Sequence, residues 1–363
     1  MRVLLIGVGG AGGRLAAAIR AAERALDAIV TDGHVIVVDT DREALDALEQ
    51  LPAGRRVLIG DTIDGIDGGG TAGDPEIAAE AARTDDYEIQ RSFDDVPIED
   101  LDAVVVAAGI AGGTGGGAGA VVVEQCTELF DLPVYAVTAL PQESADDHAA
   151  LTAARSLVSF VRLADNVFPI DNETWIAEDN AYAAANRAIA ERLVYVFSLG
   201  TFDGMPAEAR VDRTDIIRTL STGGVSAIGF ADTQLELGWR RWFRWLPWVS
   251  VPPGENDARR LKLLVRQAVE SKLTIPCAVA STERALVVTA GPPEVLSRKG
   301  FESARYWLED ELETVEIIAG DEPRPRADAV TALIVLSNVT DVPRIEELKE
   351  RGLTALACDR SAQ

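Results

Sequence analysis

The sequence predicts an α/β fold, a doubly covered parallel sheet followed by a smaller α+β domain. Three observations carry this expectation. Short apolar runs alternate with helical patterns through the first half. Two of those runs end in glycine-rich loops that each open a helix. In the second half the alternation gives way to strand-like runs set among fewer helices. Such a rhythm places a parallel sheet first and a mixed sheet after it.

Taken in order, residues 2–6 form the first strand, and Gly7-Val8-Gly9-Gly10-Ala11-Gly12-Gly13 leads from it into a helix over residues 14–28. Residues 34–39 are the second strand, followed by a helix over residues 41–48. The apolar run at residues 103–108 precedes Gly112-Gly113-Thr114-Gly115-Gly116-Gly117-Ala118-Gly119, six glycines in eight positions. Strands at 134–138 and 166–170 flank a helical stretch at 145–161. A long alanine-rich helix without Gly or Pro covers 178–197, and Gly223-Gly224 precedes an apolar run at 225–230. Beyond it, a helix at 258–271 leads to strands near 275–280, 285–289, 314–318 and 329–336, with a helix around 306–311 and a loop at 320–328. The division expected is a nucleotide-binding domain at 1–177, a core connecting helix at 178–199, a C-terminal domain at 200–348 and a short tail at 349–363.

A chain of 363 residues can bury two cores, and 47% hydrophobic residues exclude a disordered one. The net charge of −25 argues against a nucleic-acid-binding face, which needs clustered Lys and Arg. Only Lys262, Lys272, Lys299 and Lys349 are lysines among 34 basic residues. An acidic, lysine-poor surface suits a cytosol of very high salt, though an ordinary cytosolic protein can also be acidic. Cys126, Cys277 and Cys358 lack metal-type spacing and read as reduced thiols. The first apolar stretch breaks at Gly7, so no secretory signal is expected, and no run is long enough to span a membrane. A cytoplasmic protein is expected. His34 and His148 have no partners at suggestive spacing.

Glycine lets a backbone approach a ligand closely, and a helix N-terminus adds partial positive charge where its amides point. The first loop holds G-x-G-x-x-G at Gly7, Gly9 and Gly12, and the next strand ends on Asp39. Alone this is the dinucleotide fingerprint, with Asp39 on a ribose hydroxyl; the plainer alternative is a tight turn that merely packs. The second loop has far more glycine than a turn needs, and two cradles on neighbouring strand ends suggest several phosphates held from both sides.

Gly112 to Gly117 resembles the signature loop of tubulin and FtsZ, the polymerising GTPases, and GVGGAGG resembles the opening loop of the same superfamily. Val38-Asp39-Thr40-Asp41 and residues 68–74 are similar to its second and third loops. Gly223-Gly224-Val225-Ser226-Ala227-Ile228-Gly229, Leu273-Thr274-Ile275-Pro276-Cys277, Gly291-Pro292-Pro293-Glu294 and Val342-Pro343-Arg344 resemble CetZ, the tubulin-like family of salt-loving archaea. The fold implied is tubulin/FtsZ-like.

This resemblance implies GTP or GDP, with Mg²⁺ held through phosphates and water and no side-chain metal site. The phosphates would meet Gly9, Gly10, Ala11, Gly12, Gly13 and Arg14 on one side, and Gly112, Gly113, Thr114, Gly115, Gly116 and Gly117 on the other. Tyr182 and Asn186 match an aromatic-x-x-x-Asn pattern that reads the base, and Asn172 matches a second base-region Asn; packing against the second domain is the alternative for Tyr182 and Asn186. The sugar segment departs from the family pattern. Where relatives place Glu-Gly this chain has Ala145-Asp146, and Glu143 substitutes only by a register shift.

Arg210-Val211-Asp212-Arg213-Thr214-Asp215 resembles the superfamily's catalytic loop, which enters the next subunit's nucleotide pocket. The resemblance implies that Asp212 and Asp215 orient the attacking water in trans. A helix cap is the other reading of these two carboxylates. Arg210 stands where the family has Asn, and either weakens the loop by pairing or reaches a phosphate itself.

Trp239-Arg240-Arg241-Trp242-Phe243-Arg244-Trp245-Leu246-Pro247-Trp248 holds four of the six tryptophans, and on a helical wheel Trp239, Trp242, Phe243, Trp245 and Leu246 share one side and the three arginines the other. The stretch reads as a membrane-surface contact, a lateral filament contact or local packing. The expectation is a tubulin-like cytoskeletal GTPase that polymerises head to tail and serves cell shape. Two rivals stand beside it. One is a hydrolysis-silent GTP-binding scaffold; the other is an NAD-dependent oxidoreductase, which leaves the second cradle idle.

Overall fold

Six parallel strands in the order β3-β2-β1-β4-β5-β6 carry the first half of the chain. They belong to a computed structural model that describes residues 1–63, 66, 68–176, 181–200, 211–235, 255–312, 316–324 and 327–362. In chain order the elements of this half are β1 (Val3–Val8), α1 (Gly9–Ala25), β2 (Val35–Asp39), α2 (Arg42–Asp46), β3 (Arg56–Leu58), α3 (Pro75–Thr84), α4 (Asp86–Arg91), β4 (Ala103–Gly109), α5 (Gly119–Leu129), β5 (Val134–Leu140), α6 (Asp147–Leu163), β6 (Asn166–Asp171) and the single turn α7 (Asn172–Trp175).

All six residues of β1 are buried, as expected where helices cover both faces of a parallel sheet. Its side chains alternate between two cores. Leu4, Ile6 and Val8 pack on one face with Val104 and Val106; Val3 and Leu5 pack on the other with Ala103 and Val105. The strand order turns back between β1 and β4, and in such sheets the crevice at that point receives ligands. Both glycine loops leave the sheet there.

The second half comprises α8 (Tyr182–Ser198), α9 (Arg213–Leu220), β7 (Ala227–Gln234), α10 (Glu255–Glu270), β8 (Arg284–Gly291), α11 (Arg298–Leu312), β9 (Glu316–Pro323), β10 (Ala329–Ser337) and α12 (Pro343–Ala362). Its sheet is mixed, β7-β10-β8-β9, with only the β8–β9 pair parallel. Ile189, Leu193, Val194 and Phe197 of α8 share one core with β1 and with Leu286, Val288, Leu333 and Val335 of the second sheet, so this helix packs between the two halves. The seam is also hydrogen-bonded. Val167 N donates to Gly224 O at 3.0 Å and Ser226 N to Val167 O at 2.8 Å, while buried Asn166 donates Nδ2 to Leu220 O, Gly223 O and Ser337 Oγ.

Several boundaries differ from the expected ones. The first helix starts at Gly9, not at residue 14, because the glycines are themselves its first turns. The apolar stretch 275–280 is no strand: Pro276 lacks a donor, and the chain passes into a 3₁₀ turn at Val279–Ser281. Residues 320–323, expected as loop, extend β9 along β8 as far as the pair Gly291↔Pro323. Residues 349–362, expected as a tail, continue α12, which packs back on α6. Residues 178–180 at the expected start of the long helix, Arg210 and the whole of residues 239–248 lie outside the described residues. Among the described residues no helix is long and apolar enough to cross a membrane.

Candidate functional site

Strand β1 runs into α1 with no intervening turn. Its last residue, Val8, occupies the N-cap position and offers no side-chain cap, so the first-turn amides of Gly9, Gly10 and Ala11 are left for a ligand. Gly9 has φ +72°, a left-handed conformation that disfavours any side chain. The second loop mirrors the first. After β4, the chain enters a wide π-helical turn, Thr114–Ala118, again without a side-chain cap, before α5. Such turns recur at functional sites.

The two loops pack against each other at distances that only glycine permits. A Cβ on Gly9 would lie 3.0 Å from Gly115 N, and one on Gly109 would lie 2.6 Å from Ala11 Cβ. Thr40 Oγ1 and Thr114 Oγ1, 2.8 Å apart, tie the loop after β2 to the second cradle. The loop at 68–74 joins them: Gly70 N donates to Thr40 O, and Thr71 lies where a Cβ on Gly113 would be.

Between the cradles is a cleft of about 530 Å³, within the usual size of ligand pockets. Of the residues singled out from the sequence, Gly9, Gly10, Ala11, Arg14, Gly112, Gly113, Thr114, Gly115, Asn172 and Tyr182 line it. A second cavity of about 950 Å³ adjoins it, sharing Gly10, Arg14 and Tyr182, and Asn186 opens onto that one. The α1 and α8 faces bounding it are largely alanine, including Ala17, Ala18, Ala21 and Ala183.

The remaining candidates stand elsewhere. Gly12 and Gly13 face the sheet: a Cβ on Gly12 would overlap Ala107 O, and one on Gly13 would lie 3.0 Å from Val37 and Leu48. Gly116 and Gly117 back onto Ser156 and Pro75 and border a separate cavity. These four glycines allow close packing and do not line the cleft.

Asp39 is buried beneath Gly10, accepting the amides of Thr40 at 2.8 Å and Asp41 at 3.3 Å. Burial raises its carboxyl pKa to about 6, with the two amides pulling the other way. The Glu143 side chain is exposed and turns toward Arg344 at 3.9 Å, outside the cleft.

Asp212 and Asp215 lie at the far edge of the molecule. Arg213 Nη1 donates to Asp102 Oδ1 at 2.8 Å, just ahead of β4, and Asp102 Oδ2 accepts Arg2 N, just ahead of β1. Their helix therefore starts at the N-terminal edge of the sheet, while the cradles occupy its C-terminal edge. The seventeen residues of α8, about 25 Å of helix, separate Tyr182 from that edge.

The sequence reading placed the sugar segment on this side of the cleft but singled out Glu143 rather than the residues that form the wall. Ala139, Leu140, Pro141, Gln142, Ser144 and Ala145 form that wall, and Val8, Gly109 and Ala111 also line the cleft. Tyr182 Oη donates to Gln142 Oε1 at 3.3 Å across the mouth. Position after a strand end was the available signal, but none of these residue types announces a ligand.

Residues 2–179 match the family described as Tubulin/FtsZ family, GTPase domain, and residues 177–354 match Tubulin-like CetZ, C-terminal domain. Tubulin-like protein CetZ3 of Haloferax volcanii is 39% identical over 358 residues, 96% of this chain and 91% of that protein. The solved structure of CetZ1 from Haloferax volcanii, a GDP-bound monomer, aligns with a TM-score of 0.85 at 34% identity, covering 98% of this chain and 100% of that one. CetZ2 from the same organism, a GTPγS-bound protofilament, gives 0.84 at 30% identity and 100% of both chains. An empty FtsZ dimer from M. jannaschii shares the fold at 21% identity, with a TM-score of 0.68 over 92% of this chain and 87% of that one.

Proposed function

The chain belongs to the tubulin-like CetZ family, and on that premise we propose that it is a cytoplasmic cytoskeletal GTPase that assembles head to tail. The observation that carries this reading is the division of labour between the two edges of one sheet. The C-terminal edge presents two uncapped helix starts to a single cleft. The N-terminal edge presents Asp212 and Asp215.

In this reading the triphosphate sits between the cradles, on Gly9, Gly10 and Ala11 and on Gly112 to Gly115, with Arg14 supplying positive charge. The guanine lies against Tyr182 and the Asn172 and Asn186 amides, in the space shared by the two cavities. The Pro141–Ala145 wall then faces the sugar between them. Among the described residues the cleft lining carries no carboxylate. Magnesium would enter with the nucleotide, held by phosphate oxygens and water.

One chain cannot bring Asp212 to its own cradles, because the body of the sheet and the length of α8 intervene. Stacking a second copy edge to edge closes that gap, each subunit completing its neighbour's site. A heterologous contact of this kind propagates as a filament. Asp212 and Asp215 orient and polarise the attacking water, and the cradles neutralise charge on the phosphoryl group as it transfers. Control of cell shape is the cellular role this assembly would serve.

Calorimetry with GTP and Mg²⁺, and separately with NAD, tests the ligand; light scattering in molar KCl with GTP against GDP tests assembly. GTP binding with GTP-dependent scattering supports the reading, and preferential NAD binding contradicts it. A second reading, a GTP-binding scaffold without turnover, is favoured by one observation: both aspartate side chains are already engaged in capping α9. Phosphate release measured across protein concentrations separates the two. Specific activity that climbs with concentration supports catalysis between subunits, and none at any concentration supports the scaffold.

A further inference from the structure

We infer that Arg344 and Arg351 of the C-terminal helix α12 are positioning residues for the nucleotide, shaping the sugar-side wall of the cleft from behind; this rests on the functional reading above. Arg344 Nη2 donates to Pro141 O at 2.8 Å, and its Nε lies 3.3 Å from Asp171 Oδ1. Arg351 donates Nη1 to Glu143 O at 3.0 Å and Nη2 to Ala145 O at 2.7 Å. The carbonyls of residues 141, 143 and 145 are thus drawn outward by two guanidinium groups. Gln142 and Ser144, the residues between them, line the cleft with Pro141 and Ala145.

The same arginine braces the neighbouring strand end. Leu140 of β5 pairs with Asp171 of β6, so Pro141 and Asn172 leave the sheet side by side. The Asp171 carboxylate accepts Glu173 N and Thr174 N, both at 3.3 Å, capping the turn that begins with Asn172. Glu173 in turn accepts Glu143 N at 3.0 Å, joining the two segments. Arg344 and Asp171 are only 6% and 4% exposed, and Arg344 Nη1 also donates to Glu347 Oε2 at 2.7 Å, so removing Arg344 leaves the Asp171 carboxylate buried without its cation. Only a planar fork can reach a carbonyl and a carboxylate at once from one buried position; an ammonium cannot reproduce that geometry.

The consequence is that a helix some two hundred residues downstream sets where Gln142, Ser144 and Asn172 stand. Loss of either arginine leaves the cradles and Tyr182 intact but lets the wall between them shift. The penalty should fall on the sugar contact specifically.

The test uses the full chain and its Arg351→Ala and Arg344→Lys variants, titrated calorimetrically with GDP and with 2′,3′-dideoxy-GDP, with circular dichroism and thermal midpoints recorded alongside. The parent is expected to prefer GDP. Arg351→Ala is expected to weaken GDP about tenfold, the effect of losing hydrogen bonds from a charged donor, while dideoxy-GDP affinity holds, so that the two nucleotides converge. Arg344→Lys is expected to act in the same direction, and if it does not fold the Arg351 variant decides. A parent that does not discriminate the two nucleotides, an Arg351→Ala protein whose GDP affinity is unchanged, or equal losses for both nucleotides would overturn the inference. A parent that binds neither nucleotide overturns the functional reading itself.

Discussion

Asp212 and Asp215 hold one another at the start of α9: the Asp212 carboxylate accepts the Asp215 amide at 3.1 Å, and the Asp215 carboxylate accepts the Asp212 amide at 3.0 Å. This reciprocal cap also fixes both carboxylates on one turn at the edge of the molecule, Asp212 exposed. Capping and the proposed water-orienting role are separable. Asp212→Asn keeps an oxygen that caps well, whereas Asp212→Ala removes it. Asn should leave unfolding stability near the parent value and Ala should cost about 1 kcal/mol. GTP turnover should fall about 100-fold in both, the scale of a lost positioned base. Urea unfolding and phosphate release check this, and an Asn variant with full turnover would contradict it.

Two glycines of the second cradle should respond oppositely to a methyl group. A Cβ on Gly112 has its nearest neighbour at 4.0 Å, so the fold accepts Gly112→Ala within about 0.5 kcal/mol while the methyl enters the phosphate cleft. GTP affinity should drop at least tenfold. At Gly117 the methyl would overlap the Pro75 carbonyl, and Gly117→Ala should lose about 2 kcal/mol of stability. Denaturation and calorimetry on the pair distinguish ligand effects from packing effects.

Burial places the Asp39 carboxyl near 6, above its ordinary value. The folded state therefore holds this proton more tightly than the unfolded one. Its contribution to stability is full below about pH 4 and is lost as pH rises through 6. Two units amount to at most about 3 kcal/mol. The stability of Asp39→Asn relative to the parent should rise between pH 4 and pH 7, read from urea midpoints at each pH. A difference that stays constant across that range would contradict the assignment.

Tyr182, 43% exposed beside the cleft, offers its ring to the base. Tyr182→Phe loses only the hydroxyl bond to Gln142 and should bind GDP within about threefold of the parent. Tyr182→Ala removes the stacking surface and should weaken GDP about tenfold, the scale of one base–aromatic contact. Equal effects of the two substitutions would place the base elsewhere.

Much of this architecture was legible because its signals are local. The runs that became β1 and β4 are apolar throughout, as doubly covered strands must be, and the cradles betray themselves by glycine density. The glycines at the start of α1 suggest loop because glycine is a poor helix former, yet the helix begins at the left-handed Gly9, which packs on Gly115, with Gly12 packed on Ala107. The apolar stretch 275–280 resembles a strand until Pro276 is weighed against the ladder it would have to join. Arg344 stands in the Val342-Pro343-Arg344 stretch that resembles CetZ, but neither it nor Arg351 announces a link to the cleft. The carbonyls they hold, those of Pro141, Glu143 and Ala145, lie more than two hundred positions away in sequence.

Catalysis shared between the two edges of neighbouring molecules is most directly tested by complementation. Asp212→Asn retains an intact cleft, and Gly112→Leu fills the cleft while leaving Asp212 in place. Each protein alone should release little phosphate from GTP. Mixed at equal concentration, they should regain a substantial fraction of parental turnover, because the cleft of one then meets the Asp212 of the other. A mixture no more active than its components would contradict a site completed in trans.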